Sequence, residues 1–314
     1  MRRFDRATGI GIPVWGCALF LITALSMMSF ADAMAEDTIK IGVLAKRGAR
    51  KCLSMWSETG TYLSEQLARD VEIVPLKFTE VESMVDMGQV DFVLANSAFY
   101  AVLEKKFDVD AVATLINSRQ GKALKEFGGV IFVKQGSQIK KLEDVKGKSM
   151  MCVKNSSFGG CHMGLRLLLN NGIDPAKDCS SFKEGQKHDN VVMAVKTGMV
   201  DVGTVRTDTI ERMMSEGKVK LSDFHILHAI NDGFPFVHST ALYPEWPLAA
   251  CSKTSPALVA AVAKALKALP SDHPATKAAK IVGWTDPVDY GPVAECLREI
   301  KYGVFGEKRV ATKD

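Results

Sequence analysis

The chain has 314 residues, of which 47% are hydrophobic and 24% are charged, a composition typical of a globular protein with one large or two medium domains. Its formal net charge at pH 7 is +4; three arginines and two aspartates in the first 35 residues account for one unit, which leaves +3. A nucleic-acid-binding protein would concentrate basic residues on one face. The charge therefore argues against a nucleic-acid partner and is compatible with the capture of small anions.

The N-terminus has the pattern of a secretory signal peptide. Three arginines lie within the first six residues, an apolar run extends from Ile10 to Phe30, and Ala33-Met34-Ala35 supplies an A-x-A cleavage site. We predict cleavage after Ala35 and export of the mature chain. Because the apolar run is long, an uncleaved membrane anchor is the alternative. No later segment is long and apolar enough to span a bilayer.

Six cysteines follow the predicted signal peptide, in a compartment that permits disulfides. Cys152, Cys161 and Cys179 are close in sequence, and we expect a bridge within this group, although the pairing among the three stays open. The spacing of the cysteines and histidines matches no zinc or haem motif, so we predict neither a metal nor another cofactor. The remaining cysteines are Cys52, Cys251 and Cys296.

Strands and helices alternate along the chain, which predicts an α/β protein with mostly parallel sheets. The predicted strands are Ile39–Leu44, Val71–Phe78, Phe92–Leu94, Val112–Asn117, Gly129–Lys134, Ser149–Val153, Phe182–Gly185, Met199–Val205, Phe224–Ile230 and, as the last, Pro247–Cys251. The predicted helices are Lys51–Leu67, a segment through Met87 with Thr79 and Glu82 as a capping box, one opened by Asn96, one ending near Asn170, His188–Thr197, Thr207–Ser215, Ser255–Leu269, His273–Val282 and Pro292–Tyr302.

The order of these elements predicts two lobes. The chain begins one α/β unit, inserts a second between residues 135 and 240, and returns to the first. We therefore expect a signal peptide at 1–35, a first lobe made of 36–134 and 241–314, and a second lobe made of 135–240. Two crossings between lobes form a hinge, and the cleft between the lobes is the expected ligand site.

One segment, Lys148–Gly172, has the features of an anion-binding helix start. A buried strand is followed by a polar turn in which Ser156 or Ser157 can cap the next helix. Gly159 and Gly160 leave the backbone of its first turn open to close approach. The window contains no Asp or Glu, so its free amides can accept a small anion. An ordinary βα turn with a serine cap is the alternative.

The order and spacing of several short motifs resemble a known family. They are IGVLAKRG with a following Trp, VDFVLANSAFY, FGGVIFV, LEDVKGK, SSFGG, VDVGTVRT and GFPFVHSTALYPEWP. The pattern is similar to the phosphate/phosphonate-type periplasmic substrate-binding proteins, in particular the branch that also forms sensor domains of tetrathionate- and thiosulfate-sensing histidine kinases. The resemblance implies a two-lobed periplasmic binding protein type II fold with two hinge crossings, a periplasmic location, a monomer and no catalysis.

The same resemblance implies ligand-binding roles at matching positions. The serine–glycine turn matches the family's anion-binding helix start, and further matches lie after other strands. In phosphonate binders acidic side chains meet the ligand's amino group, whereas here Arg206 stands at a comparable place, which favours a fully anionic sulfur or phosphorus oxyanion. A structural ion pair of Arg206 with Asp208 or Glu211 is the alternative. The implied ligand-binding residues are Arg47, Trp56, Asn96, Tyr100, Ser156, Ser157, Phe158, Gly159, Gly160, His188, Arg206 and Thr207.

Three functions compete at this stage. The first is a solute-binding protein that delivers an oxyanion to an ABC transporter permease. The second is a receptor for a membrane sensor kinase, which would be a separate partner because no kinase segment follows residue 314. The third is a thiol enzyme that uses Cys152 or Cys161 with His162. Neighbouring residues on a helix do not face each other as a nucleophile and base must, so catalysis is disfavoured.

Overall fold

The computed structural model describes residues 38–306, so the predicted signal peptide lies outside the described residues. Its strands are β1 (Ile39–Leu44), β2 (Val71–Leu76), β3 (Phe92–Leu94), β4 (Asp110–Arg119), β5 (Lys122–Leu124), β6 (Glu126–Phe127), β7 (Gly129–Lys134), β8 (Ser149–Cys152), β9 (Ser181–Glu184), β10 (Val202–Arg206), β11 (Phe224–Leu227), β12 (Tyr243–Pro244), β13 (Pro247–Ala250) and β14 (Ile281–Thr285).

The helices follow most of these strands, as the sequence pattern predicts. They are α1 (Ala49–Leu67), α2 (Val81–Asp86), α3 (Ser97–Phe107), α4 (Met163–Asn170), α5 (Pro175–Asp178), α6 (His188–Thr197), α7 (Thr209–Ser215), α8 (Pro256–Ala268), α9 (Pro274–Ala279) and α10 (Gly291–Glu299). Between residues 38 and 306, no helix is long and apolar enough to cross a membrane.

The larger sheet has the strand order β14-β4-β13-β3-β1-β2, with β5 attached to β4. Strand β1 runs parallel to β2 and β3, whereas β13, β4, β14 and β5 join through antiparallel pairings. The prediction of a mostly parallel sheet is therefore wrong for this sheet. Strand β13 returns to it from the other sheet, without the crossover helix that would bring it back parallel.

The smaller sheet has the order β11-β7-β10-β8-β9, and all its strands lie between residues 129 and 227. Strand β8 runs parallel to β9 and β10, while β7 runs antiparallel to β10 and β11. The two passages of chain between the sheets pair with each other, since β6 and β12 form an antiparallel ribbon with Phe127 opposite Tyr243. This hinge ribbon, residues 126–127 and 243–244, joins the two α/β units.

Helix α1 shows how the larger sheet is covered. Trp56, Tyr62 and Leu63 are buried against it, as their helical spacing predicts. Leu53, expected to point inward, is instead 40% exposed. It follows the buried Cys52 by one position, which turns its side chain about 100° away from the packed face.

Two local predictions are wrong for reasons of backbone chemistry. The helix expected to reach Val282 ends at Ala279, because Lys280 adopts a left-handed conformation (φ 59°) and the β-branched residues that follow form β14. The capping box at Thr79 is also absent. Helix α2 has Glu80 at its N-cap without a side-chain cap hydrogen bond, and this carboxylate accepts from the backbone N–H of Lys77 instead.

Candidate functional site

Three segments of the larger sheet bring basic residues to one edge. Strands β1 and β3 are parallel, so the loop after β1, with Lys46 and Arg47, lies at the edge where β3 also ends. Strand β4 is antiparallel to β13 and ends at this edge with Arg119, and β14, antiparallel to β4, begins there directly after Lys280. Residues far apart in sequence thus meet through the register of the sheet.

These residues surround a cavity of about 110 Å³. Its lining contains five basic residues and no Asp or Glu, and two tryptophans form part of its walls. Trp56 is buried while Trp246 is half-buried, so the aromatic walls belong partly to the core. The cavity can therefore hold a small anion against cationic and aromatic groups. Its charged and aromatic lining residues are Lys46, Arg47, Lys51, Arg119, Lys280, Trp56 and Trp246.

Lys46 is an electrostatically perturbed group in this lining. Its Nζ lies 4.4 Å from the centroid of the Trp246 ring, a cation–π contact. Lys46 is an exposed residue of the lining. Desolvation, followed by repulsion from Arg119 and Arg206, lowers the pKa of Lys46 below its ordinary value. The ammonium group is therefore held in a strongly positive environment.

Behind the cavity, a buried ionic network connects the two sheets. Arg206, at the end of β10, donates from Nη2 to Glu245 Oε1 at 2.8 Å. Glu245 follows the hinge ribbon, is fully buried, and also accepts from Asn117 Nδ2 of β4 at 3.0 Å. Asp208 lies 3.6 Å from Arg206 Nε and 3.5 Å from Arg119 Nη1. Of the two partners considered for Arg206, Asp208 forms the ion pair, whereas Glu211 accepts from the backbone N–H of Val237; the closer partner, Glu245, was not considered.

This network leaves hydrogen-bonding capacity unused. Within residues 38–306, Arg119 Nε, Arg206 Nε and Glu245 Oε2 are buried and have no hydrogen-bond partner. Burial alone would raise the pKa of Glu245, but Arg206 and Arg119 hold it below its usual value, so the group stays a carboxylate. Two arginines are therefore held in position by carboxylates while their Nε–H groups remain without a hydrogen-bond acceptor.

The predicted anion-binding helix start forms a different local structure from the one expected. Phe158–His162 is a turn of π-helix that leads into α4. Ser157 stands at its N-cap without a side-chain cap hydrogen bond, so the predicted serine cap is absent there. In the described part of the chain, the amides of Phe158, Gly159 and Gly160 have no hydrogen-bond acceptor. The bare donors expected from the sequence are therefore present.

Protein side chains pack closely around this turn. A Cβ on Gly159 would lie 2.7 Å from the Phe127 ring and 2.9 Å from Arg206 Cβ, and one on Gly160 would lie 2.8 Å from His188 Cε1. Both positions therefore require glycine, and the prediction that they leave the backbone open to close approach is wrong on this side, because the protein's own side chains fill the space. Because Arg206 belongs to the ionic network, the turn lies next to that network. Arg119, another member of the network, lines the cationic cavity.

The turn is fastened to β8 and the hinge. A disulfide joins Cys152, the last residue of β8, to Cys161, which decides among the pairings left open by the sequence. Phe158 packs edge-on against Phe127 and Tyr243 of the hinge ribbon, with ring centroids 6.2 and 5.0 Å apart. Ser156 lines a small separate cavity of about 20 Å³ beside Tyr302. The turn is thus rigidly placed where the two sheets meet.

His188, at the start of α6, contributes a neutral imidazole. Its Nδ1 accepts from the backbone N–H of Arg206 at 3.4 Å. Desolvation and the charge of Arg206 hold the pKa of His188 well below its ordinary value. The proton of the neutral ring is then on Nε2, which is left as a donor. The adjacent Asp189 is paired with Arg212 and so adds no free acid.

Three other residues in the predicted site make structural contacts. Asn96 caps α3, since its Oδ1 accepts from the amides of the second and third helical residues. Tyr100 is buried and donates to Glu104 at 2.6 Å. Thr207 is buried and exchanges hydrogen bonds with the backbone of Gly128, beside the hinge ribbon. Of the predicted residues, the cavity lining includes Arg47 and Trp56, and the adjoining turn includes Gly159 and Gly160.

Sequence reasoning missed several groups of the cavity and its network. Lys46 stands only inside the IGVLAKRG motif of the sequence analysis, and the predicted strand Val112–Asn117 stops before Arg119. Trp246 and Glu245 belonged only to a motif of resemblance, and Lys280 was placed inside a helix. The extended pattern around Arg119 could have revealed that residue, but the others are identified by long-range pairing alone.

The thiol-enzyme alternative does not fit the chemistry of this region. Cys152 and Cys161 are joined to each other. His162 is buried and its Nε2 contacts the carbonyl oxygen of Asn155, while desolvation lowers the pKa of this imidazole to about 4. The described residues also contain no group of three or more His, Cys, Asp or Glu side chains placed to hold a metal.

Comparisons with known proteins agree with this architecture. The chain is 30% identical over 266 residues to the tetrathionate sensor histidine kinase TtrS of Salmonella typhimurium, a match that covers 84% of this chain and 44% of the kinase. The chain thus spans less than half the length of that relative.

Solved structures show the same fold at lower sequence identity. XAC2383 from Xanthomonas citri, bound to ATP, matches with a TM-score of 0.64 and 22% identity, over 84% of this chain and 95% of that one. PhnD1 from Prochlorococcus marinus, in complex with methylphosphonate, matches with a TM-score of 0.63 and 14% identity, over 84% and 98%. The fold is therefore the two-lobed fold of PhnD-type periplasmic binding proteins.

The family described as ABC transporter, phosphonate, periplasmic substrate-binding protein matches residues 41–290. Because this match covers most of the chain, including both sheets and the residues that line the cavity, the protein belongs to the phosphonate-type periplasmic substrate-binding family.

Proposed function

We propose that this protein captures a small, fully ionised oxyanion in the periplasm and presents it to a membrane partner. The observation that carries the proposal is the cavity lining, with five basic residues and no carboxylate. Such a lining repels cations and attracts anions. A phosphonate-like or phosphate-like ion and a sulfur oxyanion share the geometry that an arginine fork recognises, with two oxygens bound at once.

The two lobes supply complementary parts of the proposed site. In the first lobe, taken as 36–134 with 241–314, Arg47 and Arg119 supply guanidinium donors and Trp56 a wall. In the second lobe, taken as 135–240, the Phe158–Gly160 amides supply uncharged donors, and His188 Nε2 adds another. Closure about the hinge ribbon would bring both sets onto one ligand. This division assigns charge recognition to one lobe and geometric fit to the other.

Delivery to an ABC transporter permease is the first form of the proposal, since the family is one of ABC transporter binding proteins. A receptor role in a sensor-kinase system is the second form, and the similarity to a tetrathionate sensor histidine kinase favours it. In either form residues 1–35 direct export. Deletion of the gene separates the two forms: a transport component is needed for uptake of the anion, whereas a receptor is needed only for the response to it.

Calorimetric titration of residues 36–314 with thiosulfate, tetrathionate, phosphate and methylphosphonate, in buffer of low ionic strength, tests the proposal. At least one of these ions should bind and raise the melting temperature, because a ligand that binds only the native state stabilises it. Arg47→Ala should weaken binding at least about tenfold, or 1.4 kcal/mol. Arg50→Ala, an exposed arginine in α1 outside the lining, is the matched control. Absence of binding by all four ions would refute the proposal.

A further inference from the structure

The cavity lining consists of two chemically different parts. Of its fifteen residues, five are basic and nine are apolar, counting both tryptophans and Cys52. The remaining residue, Asn117, donates through Nδ2 to Glu245. A bare tetrahedral ion has acceptor oxygens on every side, and taking them out of water against an apolar wall is costly. The lining therefore fits an oxyanion that carries an apolar part better than it fits a bare ion.

Burial separates the two parts. Five of the apolar residues have only 3–7% of their surface exposed, and we call them the apolar floor. Four of the basic residues are exposed, and we call them the cationic rim. An anionic group can thus bind at the outer end of the cavity, while the inner end offers mainly apolar surface. The apolar floor is Leu44, Cys52, Trp56, Leu115 and Ile281, and the cationic rim is Lys46, Arg47, Lys51 and Lys280.

Helix α1 shows how floor and rim adjoin. Cys52 and Trp56 are four residues apart and buried, so they lie on the same side of the helix. The thiol of Cys52 donates to the carbonyl oxygen of Val43, with 3.8 Å between the two atoms. Lys51 and Met55 share the neighbouring side, again four residues apart, and Met55 is half-buried. A ligand held by Lys51 would therefore place its next atoms against Met55.

The cavity is larger than one head group. Because a cavity needs about 10–15 Å³ to hold one water molecule, a volume of 110 Å³ has room for about 7–11 non-hydrogen atoms. A sulfonate or phosphonate head group supplies about four of them, which leaves space for roughly three to seven more.

We propose that the ligand is an organic sulfonate or phosphonate with an apolar body of roughly three to seven non-hydrogen atoms. Its head group would lie at the cationic rim and its body on the apolar floor. The inference rests on the proposed function and narrows the class of ligand. A polar group at the far end of the body would lose its hydration against the floor, so the site should disfavour ligands that carry one.

A series of alkanesulfonates tests the inference, because the head group stays a monoanion at neutral pH while the body changes. We would titrate residues 36–314 calorimetrically with methanesulfonate and propane-1-sulfonate. Each buried methylene should strengthen binding about fourfold, so propane-1-sulfonate should bind about fifteenfold more tightly. The matched ligand is 2-hydroxyethanesulfonate, which has the length of propane-1-sulfonate but ends in a hydroxyl group and should lose most of this gain. A parallel titration with propylphosphonate identifies the preferred head group.

A variant locates the body of the ligand in the cavity. Met55→Gln keeps the length of the side chain but makes it polar, and it should reduce the fifteenfold preference for propane-1-sulfonate to about fourfold or less. Met199→Gln is the matched control, because Met199 is 73% exposed and lies outside the lining. It should keep the preference of the wild type.

A second measurement needs no variant. Residues 36–314 contain three tryptophans, of which Trp56 and Trp246 line the cavity. Propane-1-sulfonate should shift the tryptophan emission to shorter wavelength, because its body replaces water beside the half-buried Trp246 ring. The shift with 2-hydroxyethanesulfonate should be smaller.

Two results would overturn the inference and leave the proposed function intact, given binding of thiosulfate, tetrathionate, phosphate or methylphosphonate. One is equal affinity for methanesulfonate, propane-1-sulfonate and 2-hydroxyethanesulfonate. The other is a preference for propane-1-sulfonate that Met55→Gln leaves at its wild-type size. Failure of those four ions and of the sulfonates to bind would overturn both.

Discussion

The buried pair between Arg206 and Glu245 permits a quantitative prediction for the hinge. Glu245→Gln keeps the shape of the side chain and one acceptor oxygen but removes its charge. Arg206 would then keep only Asp208, 3.6 Å away, as a counter-charge in a region where Glu245 is fully buried. Removal of one partner of a buried pair costs about 3–5 kcal/mol. Because glutamine keeps one hydrogen bond, we expect the lower end, about 3 kcal/mol.

The assay is thermal and denaturant-induced unfolding of residues 36–314 without ligand. For a protein of this size, a loss of about 3 kcal/mol should lower the melting temperature by about 6–12 °C. Glu299→Gln is the matched control, because Glu299 also forms a two-pronged pair with an arginine, Arg166, at 2.6 and 2.7 Å. That pair lies nearer to solvent, with 34% of the Glu299 side chain exposed, so its loss should cost about 1 kcal/mol or less.

The pH dependence gives an internal check on the cause. Desolvation alone would raise the pKa of Glu245 above its ordinary value of 4.5. The charges of Arg206 and Arg119 outweigh this effect and lower the pKa in the folded state. Its contribution to stability is therefore present above about pH 4.5 and is lost as the pH falls through the lowered folded value. The gap between wild type and Glu245→Gln should narrow in that acidic window. Equal stability of the two proteins at pH 7, or equal losses for Glu245→Gln and Glu299→Gln, would refute this reasoning.

Three further outcomes follow from the turn beside the cavity. Cys152→Ser should lower the free energy of unfolding by about 2–3 kcal/mol, the entropy of a ten-residue loop, whereas Cys179→Ser, which breaks no disulfide, should cost less in the same denaturant titration. Gly159→Ala should lower the melting temperature and anion affinity together because its methyl group would overlap an aromatic ring, while Gly283→Ala, with no contact under 3.8 Å, should change neither by much. Burial lowers the pKa of His162 to about 4, so between pH 6.5 and 4 the unfolded chain takes up a proton that the folded imidazole does not, and stability falls progressively over this range; His162→Gln should remove on the order of 3 kcal/mol of that acid sensitivity, and an unchanged acid-unfolding profile would contradict this cause.

The turn at Phe158–Gly160 shows what local sequence could predict. A strand, a glycine pair and a window without acids are local features, and they correctly located bare amides. They could not show that Phe127 and Arg206 occupy the space beside the glycines, because these residues arrive from the hinge ribbon and from β10. The serine cap failed for a related reason: the first turn is a π-helix, so its amides are spaced differently from those of an α-helix.

The cavity shows what local sequence could not predict. Arg47 stands three residues after β1, in a motif of the resemblance, so the sequence could single it out, whereas the helical pattern around Lys280 concealed that residue. The left-handed Lys280 and the antiparallel β14 depend on pairing with β4, more than 160 residues earlier in the chain. The change from a parallel to a mixed sheet has the same origin. Strand direction in the returning segment is set by the hinge ribbon, and no periodicity within β13 or β14 records it.

The distribution of charge suggests why carboxylates occur beside a site meant for anions. Asp208 and Glu245 fix the guanidinium groups of Arg119 and Arg206, so these long side chains lose little rotational freedom when a ligand arrives. Within residues 38–306, four nearby cations, Lys46, Arg47, Arg119 and Arg206, face these two carboxylates, so an excess of positive charge remains. Full neutralisation would leave nothing for a ligand to compensate, and no carboxylates would leave the arginines mobile and strongly repelled. Partial pairing meets both requirements.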